Sequence, residues 1–242
     1  MLIDKLSMLR GRDYVLSDII TIRQPSLGEI EEYGESKYLN MLSVFVSSPF
    51  DMIAQLDDAN IDFTKITSYQ LFCLSYQTLE KSKTKILFGD FDFSKLKKIH
   101  NGNKIELRTE NAIIDEEVFN DIVQVIRTIN CLSPPKFKNV ANEYTKQKMI
   151  EFAHSELEFA KRRKNKPQSM FSTLISRAVN HPYFKYKLKD VWDMKVYAFY
   201  DSLKSINIIE NSNYLNTGAY SGNIDISKIN KNELNWLREI KE

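Results

Sequence analysis

The three histidines are the first side chains to consider for metal chemistry. His100, His154 and His181 lie far apart in the chain, and no pair has the HxH, HxxxH or HExxH spacing of a zinc site. A tetrahedral zinc site needs three or four such ligands held close together. The sequence therefore predicts no metal-ligating residue.

Two groups of aspartates could carry acid–base or metal chemistry. Asp90 and Asp92 alternate with phenylalanines, so on a strand both carboxylates would share one face, where a pair can hold a divalent cation. The polar face of an edge strand explains the same alternation more simply. Asp57, Asp58 and Asp62 lack the glycine and final glutamate of a calcium-binding loop, which favours helix-end and loop carboxylates.

Motifs for nucleophilic or phosphate chemistry are missing from the sequence. Cys73 and Cys131 are 58 positions apart in apolar surroundings, which favours small buried thiols in a reducing compartment over a disulfide. The stretch Gly218-Ala-Tyr-Ser-Gly222 lacks the flanks of a phosphate-binding loop, and no GxSxG motif occurs. We expect no enzymatic activity, no catalytic, cofactor-binding or metal-ligating residues, and no cofactor.

The densest charge cluster, Lys161-Arg-Arg-Lys-Asn-Lys166, has two interpretations. With Phe159, Phe171 and the later Phe184-Lys-Tyr-Lys-Leu-Lys189, it mixes basic and aromatic residues as single-strand nucleic-acid binders do. Basic helix ends are also common on solvated surfaces, and such a cluster before a proline can mark a hinge. We expect a hinge near 161–167, and nucleic acid is not an expected partner.

Composition is typical of a folded, mainly helical chain. The 242 residues are 43% hydrophobic, with 14 Phe and 12 Tyr against 7 Gly and 6 Pro, which argues against disorder and against a turn-rich β-sandwich. The start of the chain lacks a signal-peptide core, and no window approaches the roughly 18 to 20 apolar residues of a membrane span. The expected location is cytoplasmic.

Charge is unevenly distributed along the chain. Residues 1–80 carry 6 basic and 12 acidic side chains and the remainder carries 28 and 20, although the whole chain has a net charge of only +2. The two parts could attract each other within one molecule. They could also attract a neighbouring copy head to tail, or simply form two solvated faces.

A strand stop and a helix start lie near the N-terminus. The run that begins at Tyr14 has the β-branched alternation of a half-buried strand, and Pro25 ends it because proline has no N–H for a ladder. Ser26 and Glu29 have the spacing of a capping box. Apolar residues then recur at steps of three and four, which predicts one helix over 27–47.

Cap signals and periodicity predict the central elements. Ser48 before Pro49 and Thr67 each announce a helix, and the run 80–85 is expected to be solvated. Alternation with a period of two predicts strands over 86–93 and 104–108, with a turn at Asn101-Gly-Asn103. An acidic first turn after Asp115 opens another helix, and Pro134-Pro135 ends this unit.

The last third is expected to be helical. A charged helix over 139–163 has a narrow apolar stripe, typical either of an exposed connector or of one half of a coiled pair. Helical spacing recurs over 171–179 and 188–206, whereas 214–223 contains two glycines and is predicted to be a loop. Asn230 repeats the cap pattern near the end.

The elements together predict a fold class and three units. The class is α+β, predominantly α-helical, with a short N-terminal strand or hairpin and a small central antiparallel β element. The units are 1–83 (strand plus helices), 84–133 (β-hairpin plus helix) and 134–242 (helical C-terminal region).

The stretch Ile22-Arg-Gln-Pro-Ser-Leu-Gly-Glu29 resembles the R-x-P-T/S-x-G-D/E segment near the N-terminus of tail assembly chaperones of long-tailed bacteriophages. The Lys-, Asn- and Ile-rich composition, Ala198-Phe-Tyr-Asp-Ser202 and Tyr220-Ser-Gly-Asn-Ile-Asp225 are similar to phage or prophage proteins of low-GC Gram-positive hosts. The length of 242 residues and the segment 84–110 depart from the chaperone pattern.

This resemblance implies a non-enzymatic tail assembly factor in the host cell cytoplasm. Its partners would be phage structural proteins, the tape measure or tail-tube protein, bound before polymerisation through apolar helical surfaces. One alternative is a structural neck, connector or baseplate component, found in the virion, for which a homo-oligomer is one arrangement. The other is a nucleic-acid or host-defence-facing binder that uses the cluster at Lys161 to Lys166.

Overall fold

The chain starts with a short helix and a hairpin. The computed structural model describes residues 3–102, 104–135, 139–162 and 169–238. Helix α1 covers Lys5–Leu9, and strands β1 (Tyr14–Val15) and β2 (Thr21–Ile22) pair antiparallel. The alternating run is thus two short strands, because the Ser17 hydroxyl accepts the Ile19 and Ile20 N–H groups at 3.3 and 3.1 Å and turns the chain between them.

Two helices occupy the span where the apolar stripe predicts one. The capping box of Ser26 and Glu29 is confirmed at the start of α2 (Leu27–Tyr33), and α3 covers Glu35–Val46. The single helix over 27–47 is wrong because Gly34 has a φ of +98°, which breaks the helix where only glycine is unstrained. The stripe survives the break, since both helices bury their apolar residues in the same core.

The two predicted helix starts after α3 are confirmed. Ser48 caps the 3-10 turn Pro49–Asp51, which leads into α4 (Ile53–Asp58). Thr67 and Gln70 form a capping box at the start of α5 (Ser68–Ser75). Asp57 and Asp58 lie at the end of α4 and Asp62 in the following loop, as their spacing indicates.

The run 80–85 is mostly exposed, as predicted, but it begins a helix, and the strands predicted over 86–93 are wrong. Helix α6 covers Lys81–Phe88, and Gly89 ends it with a φ of +57°. The sequence misled because Ile86, Leu87 and Phe88 are all buried, so period-two alternation does not describe them. Asp90 and Asp92 consequently share no strand face.

The central β element is confirmed as a three-stranded antiparallel sheet. Strands β3 (Lys97–Asn101), β4 (Lys104–Arg108) and β5 (Ile113–Ile114) lie in that order. Gly102 has a φ of +62° in the predicted turn, whose third residue, Asn103, lies outside the described residues. All side chains of β3 are exposed, and its lysines keep this edge strand polar.

Helices α7 and α8 pack into different cores. Asp115 caps α7 (Glu116–Ile129), which buries a full apolar face. The charged helix is confirmed as α8 (Glu143–Arg162), with no fully buried residue. Its stripe packs against α4 in a small separate cluster built on Ile53, Leu56 and Phe63.

The last third is helical, with two departures from the predicted pattern. The structure has α9 (Met170–Val179), α10 (Leu188–Val191) and α11 (Val196–Tyr220), so the pattern over 188–206 is interrupted at 192–195. The loop predicted over 214–223 is wrong, because α11 continues to Tyr220. Gly218 serves close packing there: a Cβ at this position would lie 2.3 Å from Ile224 Cδ1.

The main core joins elements from most of the described chain. Phe45 lies at its centre, with ring centroids 5.1 to 5.4 Å from those of Phe72, Phe88 and Phe93. The fold is α+β and mostly helical, as the sequence predicts. No helix within the described ranges is long and apolar enough to cross a membrane. Residues 163–168, which hold most of the basic cluster, lie outside these ranges.

Candidate functional site

The stretch 23–29, here called the N-terminal corner, is joined by backbone hydrogen bonds to the turn before α11. Leu27 N–H donates to the Met194 carbonyl at 3.0 Å, and Gly28 N–H donates to the Trp192 carbonyl at 2.8 Å. A Cβ on residue 28 would lie 3.1 Å from that same carbonyl oxygen. Glycine at position 28 therefore permits the close approach of α2 to this turn.

Glu29 is the electrostatic centre of the corner. Its carboxylate accepts the Ser26 N–H at 2.7 Å and pairs with Arg23 at 3.0 Å and Lys195 at 3.5 Å. Burial alone would raise the pKa of Glu29, but the Ser26 N–H and the charges of Lys195 and Arg23 together lower it. Glu29 thus links the strand, the cap of α2 and the start of α11.

Gln24 anchors the other side of the corner. Its side chain is fully buried, and its amide Nε2 donates to the Arg12 carbonyl at 2.7 Å. Its backbone N–H donates to Asp13 at 3.0 Å. The residues that carry the resemblance to tail assembly chaperones therefore make structural contacts within this chain.

The corner supports one wall of an apolar groove of about 460 Å³, here called the α2–α9 groove. Leu27 and Ile30 of α2 and Phe171 and Ile175 of α9 form its buried floor. Its outer wall is formed by two exposed apolar residues, Leu188 (53% exposed) and Trp192 (38% exposed). The volume lies within the range of ligand pockets. Polar residues, Glu31 and Glu35 among them, complete the lining.

Glu35 fixes α9 in place beside the groove. Its carboxylate accepts the N–H groups of Met170 and Phe171 at 2.7 and 3.0 Å, while Ser169 caps the same helix through the Ser172 N–H at 2.9 Å. Because Glu35 also begins α3, this contact connects α9 to the N-terminal helices. The contact therefore holds an early helix and a late helix of the chain together beside the groove.

The histidines that the sequence singles out lie apart. His154 Nε2 lies 2.9 Å from Asp57 on α4, His181 Nε2 lies 3.1 Å from Glu210 on α11, and His100 is exposed on β3. Within the described ranges, no three His, Cys, Asp or Glu side chains are grouped so as to hold a metal ion.

The two cysteines, and the two aspartates that the sequence placed on a strand, lie in separate local surroundings. Cys73 is buried, and burial raises the pKa of its thiol, whereas Cys131 is half-buried with a φ of +50°, and no disulfide joins the two. Asp90 pairs with Lys81 at 2.8 Å, and Asp92 accepts the Ser94 N–H at 3.1 Å. These two carboxylates have separate local roles.

The aromatic residues considered for nucleic acid are divided between the surface and the core. Phe159 and Tyr186 are exposed, at 59% and 49%. Phe171 and Phe184 are buried, so their rings are not available to bases. Lys185, Lys187 and Lys189 are exposed around the start of α10. The part of the cluster from Arg163 to Lys166 lies outside the described residues.

The groove itself was missed by sequence reasoning. Its apolar lining residues fall within the predicted helical stretches 27–47, 171–179 and 188–206, where the spacing indicates core positions. A weak signal was present, since the Leu188 and Trp192 positions lie beside Lys187 and Lys189 in a short, strongly charged segment.

Comparison with known proteins gives one family match. Searches of curated proteins and of solved structures each found no match to the chain. Residues 163–241 match the model of a family described as the YomV second domain. The matched part includes α9, α10 and α11, and with them part of the floor and the outer wall of the groove. That family is of the phage and prophage type, YomV being encoded by a Bacillus prophage gene.

Proposed function

We propose that this protein is a non-enzymatic bacteriophage or prophage assembly factor that binds a helical segment of another phage protein in the α2–α9 groove. The apolar groove with its exposed outer wall is the observation that carries the proposal. In the isolated chain, Leu188 and Trp192 are exposed to water beside a concave apolar floor. An amphipathic partner helix would cover both side chains and remove their apolar surface from water.

The tape measure or tail-tube protein is the proposed client. The YomV second-domain match supports a phage setting, and the resemblance of the N-terminal corner to tail assembly chaperones supports a tail protein as the partner. The groove joins these two lines of support, because the corner holds Trp192 through Gly28 and the matched region supplies α9 and α10.

The test is co-purification of the tape measure protein of the same phage with groove variants. Leu188→Glu places a charge on the outer wall, and the first turn of α10 accepts an acidic residue. We expect it to reduce recovery of the client at least about tenfold, because a buried unpaired carboxylate is costly. The matched control is Leu6→Glu, which changes an exposed leucine on α1 outside the groove.

Equal recovery of the client with Leu188→Glu and with Leu6→Glu would exclude the groove as its binding site. Failure of the wild-type protein to retain either the tape measure or the tail-tube protein would exclude the proposed clients.

A structural role in the particle is the second candidate. Tyr214, Tyr220 and Trp236 are exposed near the C-terminal end of the described chain, and exposed aromatic residues are typical of subunit interfaces. Purified particles separate the two candidates, because a structural component is present in them at fixed copy number and a chaperone is removed.

A further inference from the structure

A second cavity lies on a different side of the molecule, between α7 and α11. Its volume is about 650 Å³, within the range of ligand pockets. Its walls are apolar at Val123, Leu132 and Ile208, and two cations, Arg127 and Lys204, line it. None of the described residues that line it is acidic.

The two cations lack a carboxylate partner. The Arg127 guanidinium donates to two neutral acceptors, the backbone carbonyls of Ser133 and Val46. Within the described chain, neither Arg127 nor Lys204 forms an ion pair; Asp51 acts on Arg127 and Asp201 on Lys204 only through space, and neither aspartate lines the cavity. The described lining of the cavity therefore carries two cations and no carboxylate.

Burial makes this charge costly. Partial removal from water lowers the pKa of Arg127, which means that its cationic form is less well solvated than in a free side chain. The two carbonyl acceptors of Arg127 replace the lost water only in part. An anion in the cavity would add a further favourable interaction with the guanidinium.

We propose that the α7–α11 cavity binds a carboxylate that lies beside an apolar side chain of a peptide segment. A single carboxylate matches two separated cations, and the apolar walls at Val123, Leu132 and Ile208 match an adjoining aliphatic side chain. A free phosphate ion fits less well, because it has no apolar part to cover these walls. The carboxylate could belong to an Asp or Glu side chain or to a chain end.

Three short peptides with blocked N-termini distinguish the sources. The first has a glutamate beside a leucine and an amidated C-terminus, the second has glutamine in its place, and the third is the glutamine peptide with a free C-terminus. Titration of the full chain by NMR at low ionic strength measures each affinity. We expect the first or the third peptide to bind, and the second to bind at least about tenfold more weakly.

Lys204→Gln tests the site without disturbing the contacts that Arg127 makes to the backbone. The side chain of Lys204 is half-buried and donates no hydrogen bond within the described chain. This variant should weaken the binding of the carboxylate peptide about fivefold. The matched control Lys189→Gln removes the same charge from α10, away from the cavity, and should leave the affinity unchanged.

The proposal would be overturned by any of the following results. These are no binding of either carboxylate peptide to the wild-type protein, equal binding of the amidated glutamine peptide, and equal weakening by Lys204→Gln and Lys189→Gln. Displacement of the bound peptide by inorganic phosphate at an equal concentration would likewise overturn it, since the cavity would then bind small anions in general.

Discussion

Glu29 makes contacts on three sides, and its ionisation is therefore linked to the stability of the N-terminal corner. Its carboxylate accepts the Ser26 N–H and pairs with Arg23 and Lys195. The capping box could be predicted from the sequence because both partners are three residues apart. The Lys195 contact could not, because it joins residues at opposite ends of the chain.

Glu29→Gln should reduce stability in a pH-dependent way. The pKa of Glu29 is lowered in the folded protein, so its ionised form contributes stability above the ordinary value of 4.5, and this is lost as the pH falls through the lowered value. The difference in unfolding free energy between wild type and variant should therefore shrink below pH 4.5. Denaturant titrations across this range measure it. A difference that stays constant into acid, or that matches an exposed control such as Glu32→Gln, would contradict the assignment.

Ser26→Ala should cost about 1 kcal/mol of unfolding free energy, because the Glu29 N–H then loses its cap. Urea titration at neutral pH is the measurement. A variant with wild-type stability would show that the cap contributes nothing.

Gly28→Ala should be more damaging than its small size suggests. The added methyl group would lie 3.1 Å from the Trp192 carbonyl, which is backbone and cannot rotate away. We expect a loss of about 1 to 3 kcal/mol from overpacking, measured by thermal or denaturant unfolding. Ala at the exposed position Glu32 of the same helix is the control, and equal effects of the two changes would contradict the close approach.

At the scale of the elements, local sequence signals predicted where helices begin better than where they end. Ser26, Ser48, Thr67 and Asp115 each start a helix or a 3-10 turn, because a cap depends on residues three positions apart. The errors at 86–93 and 214–223 arose where burial in the assembled molecule decided the structure. The groove belongs to this second group, since α2 must meet α9 and α10, which lie far from it in the sequence.

Helix α8 should be separable from the main core. It packs on α4 through a small cluster, with Lys146 Nζ 2.9 Å from Asp62 and with Met149 and Ile150 against Ile53, Leu56 and Phe63. Ile150→Asp should therefore speed hydrogen exchange along α8 and leave α7 protected, because α7 is buried in the other core. Phe152→Asp, at an exposed position of α8, is the control. Loss of protection in both helices would show that the two cores are one cooperative unit.

In the whole molecule, two different concave surfaces are formed along α11. The turn before α11 forms part of the apolar groove with α2 and α9, and the middle of α11 faces α7 across the cationic cavity. The uneven charge along the sequence did not predict either site, because each combines residues from separate parts of the chain. The proposed function therefore rests on contacts between the N-terminal corner and the region that matches the YomV second domain.

Hydrogen exchange of the purified protein with and without the tape measure protein tests the central claim most directly. Binding in the α2–α9 groove predicts added protection in α2, α9 and α10, with no change in α8, which packs on α4 away from the groove. Protection confined to α8 or to the C-terminal end of α11, with the groove elements unchanged, would contradict the account.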